Sequence, residues 1–549
     1  MPTLHWIGKE KVVNHHQEVP YRVLEHKYGF RDGEQSSKPT GSGNMIIHGD
    51  NLLALKSLLP KFQGKVDCIY IDVPYNTGNE KWVYNDNVNE PRIKKWLGEV
   101  VGTEGEDLSR HDKWLCMMYP RLVLLQKLLS EDGVIFISID DNEQATLKLI
   151  CDEIFGASAF ISTFCWVRKK KGSFLSKSVR KMTEYVLCYK KTASSSVQLY
   201  GEKAYTDKWQ PIVKRTNNER ELIIPARTIS TKLDDGLYKS GFRGKEGTGL
   251  LFMNDFVVKD GYVQTELAVR GHFTWQQSFL DEELSKGTQI DLSRQFGFNV
   301  LRFNQADKVK SPSTLINSEN GVGTNEDATA ELQEIFKGQP NEVFQYSKPK
   351  SLIEYLLNMV VMSKRDAVIL DSFAGSGTTG QAVLNLNRDG GERKFILVEM
   401  EDYADTLTAE RNKRVICGYG EGSKAVEGTG GAFDFYELGE PLFCEDGTLN
   451  EVVGEDKIRE YIFYSDTQQP LQERTPNSKY YLGNAFETAY YFYYERDATT
   501  ILNHETLRQI VTNRAEQYII YADICTLTED EMSRLGVVFK KIPRDIKRF

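Results

Sequence analysis

The chain has 549 residues, more than one hydrophobic core usually organises, so two to four domains are expected. Its 40% hydrophobic and 27% charged residues are those of an ordinary globular protein, and apolar runs such as "VIFISI" at 134–139 are too short to cross a bilayer. The net charge of −9 disfavours a nucleic-acid partner only as an average, because 165–245 holds nineteen Lys/Arg against seven Asp/Glu, whereas 420–549 holds fourteen against twenty-three.

The opening "MPTLHWIGKEKVVNHH" lacks the apolar block of a secretory signal, so a cytoplasmic location is expected. Eight scattered cysteines with no C-x-x-C pair argue for reduced thiols, against both a disulfide framework and a zinc site. "NMIIHGDNLLALKSLL" (44–59) reads as strand, turn and amphipathic helix. "VDCIYID" (66–72) reads as a strand buried on both faces. A helix over 113–133 follows, kinked or broken at Pro120, then a strand at 134–140, a helix at 142–154 and a strand at 183–190. In "WVRKKKGSFLSKSVRK" (166–181) basic residues surround Trp166 and Phe174, a pattern suited to nucleic acid or to a solvated face.

From about 200 to 340 the periodicity weakens. It returns at 350 with helix "SLIEYLLNMVVMSK", strand "AVILDSF", a glycine-rich turn, helix "TTGQAVLNLN", strand "KFILVEM" and helix "YADTLTAERNKRV". "GYGEGSKAVEGTGG" (418–431) has the composition of a linker. The alternation predicts an α/β fold with a Rossmann-like, doubly wound sheet. Its parts are an arm at 1–44, one domain assembled from 45–195 and 345–418, an insert at 196–344, and an α+β module at 432–549.

"VILDSFAGSGTTG" (368–380) carries G-x-G-x-x-G at Gly375, Gly377 and Gly380, after a strand and before a helix. Glu399 ends the next strand, about twenty residues on, where a ribose diol would be bound. This pattern suits an adenosine-containing cofactor without separating NAD from others, and a tight strand–helix turn would also produce it. In "IYIDVPYNTG" (69–78) Asp72 falls at the carboxyl end of its strand, the edge at which open α/β sheets bind ligands. Asp72 and the Val73 carbonyl could accept both protons of an exocyclic amine on a heterocycle stacked over Tyr75, directing the nitrogen lone pair at a sulfonium methyl. A strand ending in a turn, with Asp72 capping local N–H groups, is the plainer reading.

"DVPYNTGNEKWVYND" is similar to the Asp-Pro-Pro-Tyr motif of amino-group DNA methyltransferases, and "DSFAGSGTTG" resembles their Phe-x-Gly-x-Gly motif for S-adenosylmethionine. The catalytic motif comes first, as in the permuted β class. With "HGDNLLALKSL", "VGTNEDATAELQEIF" (322–336), "KPKSLIEYLL" (348–357) and "GAFDFYELGEPLF" (431–443), the chain resembles the modification subunit of type III restriction–modification systems. The likeness is specific in 45–190 and 320–443 and diffuse in the insert, where target recognition would sit.

This resemblance implies adenine-N6 methylation of double-stranded DNA by base flipping, a homodimer, and association with a helicase–nuclease restriction subunit. It implies that Asp72, Val73, Pro74 and Tyr75 form the catalytic motif. Asp371, Phe373, Gly375 and Gly377 would line S-adenosylmethionine, with Glu399 at its ribose and Asp50 at its adenine. Lys348, Pro349 and Ser351 would close over its methionine end. No metal is implied. Val73 departs from the usual proline, yet it keeps the carbonyl and, preceding Pro74, is pushed toward extended backbone. The alternatives are a catalytically weakened DNA-binding specificity subunit, a cytosine-N4 methyltransferase, and an NAD enzyme that leaves Asp72, Pro74 and Tyr75 without a role. The acidic 432–549 module is the expected docking surface for a second copy or a partner.

Overall fold

A computed structural model describes residues 3–77, 95, 98–99, 110–171, 178–202, 209–245, 248–302, 309–337, 347–471 and 479–544. The chain divides into two units, Met1–Leu199 with Ser313–Phe549, and Tyr200–Pro312. An eleven-stranded sheet runs through the first. Its strands are β1 (Arg22–Arg31), β2 (Glu34–Ser36), β3 (Met45–His48), β4 (Val66–Asp72), β5 (Leu129–Ile139), β6 (Phe160–Val167), β7 (Thr183–Lys190), β8 (Leu315–Ile316), β9 (Val368–Asp371), β10 (Lys394–Glu399) and β11 (Ala432–Pro441). Helices α1 (Asn51–Phe62), α2 (Arg110–Leu128), α3 (Gln144–Cys151), α4 (Asn325–Ile335), α5 (Lys350–Val361), α6 (Thr378–Leu386) and α7 (Glu410–Cys417) pack on it.

The strand order is β8, β6, β7, β5, β4, β9, β10, β3, β11, β1, β2. From β5 to β11 every neighbour is parallel, while β7 runs antiparallel to β5 and β6, and β1 antiparallel to β11. The near-continuous apolar runs of the central strands follow from burial on both faces. Ile69, Ile71, Ile135 and Ile137 pack with α1, α2 and α3, while Cys68, Tyr70, Phe136 and Leu397 pack with α4 to α7. From β4 the chain proceeds to β5 on one side, and from β9 to β10 on the other. The gap between β4 and β9 is therefore the topological switch point, where ligands of open α/β sheets bind.

Several expectations change. Helix α2 runs unbroken through Pro120. Burial of Trp114, Leu115, Met118, Leu122 and Leu125, at roughly 1.5–3 kcal/mol each, outweighs one missing hydrogen bond. Residues 22–36 form β1 and β2, so the arm extends the sheet. Residues 432–441 are β11, paired with β3 inside that sheet, so the C-terminal module begins only after Pro441. There, Tyr481–Ala485, Thr488–Phe492, Gln517–Ala522 and Val537–Lys541 make a four-stranded sheet with its own core. The glycine-rich 418–431 stretch forms a short ladder between Gly418–Tyr419 and Val426–Glu427. No helix among the described residues is long and apolar enough to cross a membrane.

The second unit is shorter than the expected 196–344 insert, because β8 and α4 belong to the first. It contains a seven-stranded and a four-stranded sheet around Leu222, Phe252, Phe256, Phe273, Ile290 and Phe298. Its strands are two to five residues long, too short to display a clear alternation. Its two ends are paired: Gly201 N–H donates to the Lys310 carbonyl at 2.7 Å, and Lys310 N–H donates to the Glu202 carbonyl at 2.9 Å.

Candidate active site

Adjacent strands β4, β9 and β10 end at their carboxyl edges in Asp72, Asp371 and Glu399, and β3 beside them leads into Asp50. Asp72, Asp371, Phe373, Gly375 and Thr378 line one open pocket, with Tyr70, Ser347 and Lys348. The residues read from two distant motifs thus meet at the switch point.

Both Asp72 oxygens accept hydrogen bonds from the Lys348 ammonium, at 2.8 and 2.7 Å. Burial pushes the Asp72 carboxyl above its ordinary range and Lys348 opposes that push, favouring the ionised form. The same ammonium lies 3.6 Å from Glu184 and 5.0 Å above the centre of the Tyr75 ring. Tyr75 donates its hydroxyl proton to Glu184 at 3.1 Å, and Arg168 pairs with Glu184 at 2.5 Å. Val73 is buried in the sheet core. Pro74 presents its carbonyl to the Trp114 indole N–H at 2.6 Å.

In the glycine turn, Gly377 has φ 79° and caps α6; a Cβ there would lie 2.7 Å from the Thr408 carbonyl oxygen. Gly380 serves a different need, since a Cβ would lie 2.4 Å from the Asn412 side chain on α7. Gly375, with φ 52°, donates its N–H to Glu399 at 2.7 Å, and the second Glu399 oxygen accepts from Glu401 N–H at 3.0 Å. Glu399 therefore braces the turn and lies outside the pocket lining, leaving only its remaining lone pairs for a ribose. Asp371 accepts from Phe373 N–H and the Thr379 hydroxyl.

Burial drives Asp371 up to about 7 and Glu399 up to about 8. Unfolded, these groups titrate near 3.9 and 4.3, so the folded state retains protons that the unfolded chain has released. Their contribution to stability is complete below about pH 4 and is lost as pH rises through the folded values. Melting temperature is expected to fall from about pH 5 to 8.5 with a slope that Glu399→Gln flattens. Thermal unfolding across that range checks it, and an unchanged slope in the variant refutes it.

The other anticipated cofactor residues separate. Asp50 accepts from Leu52 and Leu53 N–H as the cap of α1 and lies 3.5 Å from Arg121. Ser351 accepts from Gly323 N–H at 2.9 Å, Pro349 precedes α5, and neither lines the pocket. Lys348 lines the pocket and bonds the Asp72 carboxylate. Trp166 is buried and bonded to the Gly323 carbonyl, so it offers no stacking surface, and Phe174 lies outside the described residues. Lys170, Lys181 and Lys191 of the basic stretch pair with Asp327, Asp141 and Glu131.

Sequence reasoning missed Arg411. Its guanidinium is fully buried and donates from one nitrogen to the Ser347, Ser376 and Thr378 hydroxyls at 3.2, 2.7 and 2.7 Å. All three residues line the pocket. Among the described residues no carboxylate lies within ion-pair distance of Arg411, and its other terminal nitrogen has no acceptor. Burial lowers the group to about 10.

A family profile described as DNA methylase matches residues 66–410, which span both motifs and well over half the chain. The chain belongs to this DNA methylase family. It is 31% identical over 381 residues to the type II methyltransferase M.KpnI of Klebsiella pneumoniae, covering 69% of this chain and 85% of that one. It is 33% identical over 384 residues to the Mod subunit of the type III restriction-modification enzyme StyLTI of Salmonella typhimurium, covering 66% of this chain and 53% of that one. The EcoPI Mod subunit of Escherichia phage P1 is 30% identical over 431 residues, covering 73% and 64%. This DNA methylase family member thus spans between half and two thirds of the Mod subunits it matches.

Proposed function

We propose that the chain methylates the N6 amino group of adenine in double-stranded DNA, as the modification and specificity subunit of a type III restriction–modification system. The observation that carries this reading is that Asp72 and the glycine turn line one pocket at the switch point. The names of the Mod relatives support the system, and an acid at position 72 favours adenine over cytosine.

The pocket residues fit S-adenosylmethionine, which supplies an electrophilic methyl group on sulfonium sulfur. Phe373, Gly375 and Gly377 would run along it, and Glu399 and Asp50 would stand toward its ribose and adenine. The buried Arg411 cation, acting through the hydroxyls of Ser347 before α5, Ser376 in the glycine turn and Thr378 at the start of α6, suits its α-carboxylate. Lys348 favours the ionised form of Asp72, an acceptor with further lone pairs to offer the target amine. With the Val73 carbonyl as second acceptor, the amine nitrogen is held pyramidal, its lone pair directed at the methyl carbon. The Tyr75 ring is buried with the Lys348 ammonium over it, so for it to stack on a flipped base Lys348 would have to move aside; stacking of about 1–3 kcal/mol would then offset flipping, which costs a few kcal/mol.

Incubation with labelled S-adenosylmethionine and duplex DNA, followed by modified-base mapping, is expected to yield N6-methyladenine in one sequence context. N4-methylcytosine, or no transferred label, overturns the reading. We assign the dimer and restriction-subunit contacts to the acidic residues after Pro441; a truncation there that abolishes DNA binding but leaves both assemblies intact refutes the assignment.

A further inference from the structure

Asn76, next after Tyr75, is fully buried and has φ 56°, a left-handed backbone that asparagine tolerates better than most residues but that needs outside support. Its side-chain amide donates to Glu143 at 2.5 Å and to the Arg110 carbonyl at 3.3 Å, while its buried Oδ1 has no partner among the described residues. The side chain is therefore fixed through its N–H groups alone.

Glu143, in the connection from β5 to α3, is also fully buried. Among the described residues it pairs with no lysine or arginine; it accepts from Asn76, from the Thr146 hydroxyl, and from His111 Nδ1 at 2.6 Å in the tautomer that donates. A carboxylate so placed costs desolvation that these hydrogen bonds offset. Arg110, His111 and Trp114 belong to the first turns of α2, so that helix grips the same turn a second time through the Pro74 carbonyl.

We infer that Glu143 is a positioning residue for the catalytic motif, acting through Asn76. With valine in place of proline at 73, backbone φ is not ring-locked, and the direction of the Val73 carbonyl depends on how the chain is held downstream. Trp114 holds it one residue later and Glu143 three residues later. The inference rests on the methylation reading, because it assigns the Val73 carbonyl a role.

The test is Glu143→Ala, Glu143→Gln and Asn76→Gly in the full chain, with hydrogen exchange of the peptide covering 70–77, calorimetric binding of S-adenosylhomocysteine, and steady-state methyl transfer to DNA. Glu143→Ala is expected to speed exchange in that peptide about tenfold and to lower kcat about ten- to thirtyfold, with analogue affinity and DNA KM changed less than about twofold. Gln keeps the acceptor facing Asn76 and is expected to restore both readouts to within about threefold. Asn76→Gly, which keeps the backbone conformation but removes the anchor, is expected to share the Ala defect, and it decides the matter if Glu143→Ala fails to fold. Wild-type exchange and kcat in either truncated variant overturn the inference. If the wild-type protein transfers no methyl group, the methylation reading falls, while exchange still decides whether Glu143 holds the turn.

Discussion

Asp72→Ala is expected to lower methyl transfer by at least about a thousandfold, roughly 4 kcal/mol of barrier, while S-adenosylhomocysteine affinity stays within about threefold. The adenine amine is a weak nucleophile because its lone pair is delocalised into the ring, and Asp72 is the one charged acceptor at the end of β4 that lines the glycine-turn pocket. Its removal takes away both the acceptor that localises the lone pair and the alignment that makes the encounter effectively unimolecular. Lys348 would not be stranded, because Glu184 lies 3.6 Å away and takes over as counter-charge, so a folded variant is expected. Asp72→Asn, which keeps one acceptor oxygen, is expected to fall between the two. Labelled-methyl transfer at saturating DNA, with calorimetry of the analogue, checks this; activity of the Ala variant within about tenfold of wild type removes Asp72 from the chemistry.

Arg411→Met is expected to weaken S-adenosylhomocysteine binding about a hundredfold, near 2.7 kcal/mol, and to leave binding of 5′-methylthioadenosine, which lacks the amino-acid tail, within about threefold. A buried guanidinium with no carboxylate within ion-pair distance among the described residues leaves positive charge beneath the pocket, and the three hydroxyls it contacts carry that polarity toward the site. Methionine matches the volume and removes the charge. Paired titrations of the two nucleosides separate the cases. An equal loss for both would mean that Arg411 only braces the turn, and no loss for either would remove it from ligand binding.

The sheet was legible because strands buried on both faces write unbroken apolar runs: "VDCIYID", "AVILD" and "KFILVE" all became central parallel strands. The two motifs were legible because glycine, proline and strand-terminal acids are local signals. The outer parts of the sheet were not. Nothing local in "RVLEHKYGFR" or "AFDFYELGEP" reveals that they pair with each other, or that the second also pairs with β3, because both pairings join residues some four hundred positions apart. The pairing of Lys348 with Asp72 was not legible, because it is fixed by where α5 begins relative to β4. Arg411 was hidden in "AERNKRV", where alternating charge looks like a solvated helix face. Glu184 offered one faint signal, a lone acid at a position of β7 that the alternation turns inward.

The paired ends of the 200–312 unit have an evolutionary consequence. The chain leaves and re-enters that block through adjoining backbone segments, Gly201 and Glu202 beside Lys310. A replacement block of any internal design needs only to present two neighbouring ends to be spliced in, without disturbing the strands that carry the chemistry. A single recombination event can thus replace that block whole while the sheet of the first unit stays constant.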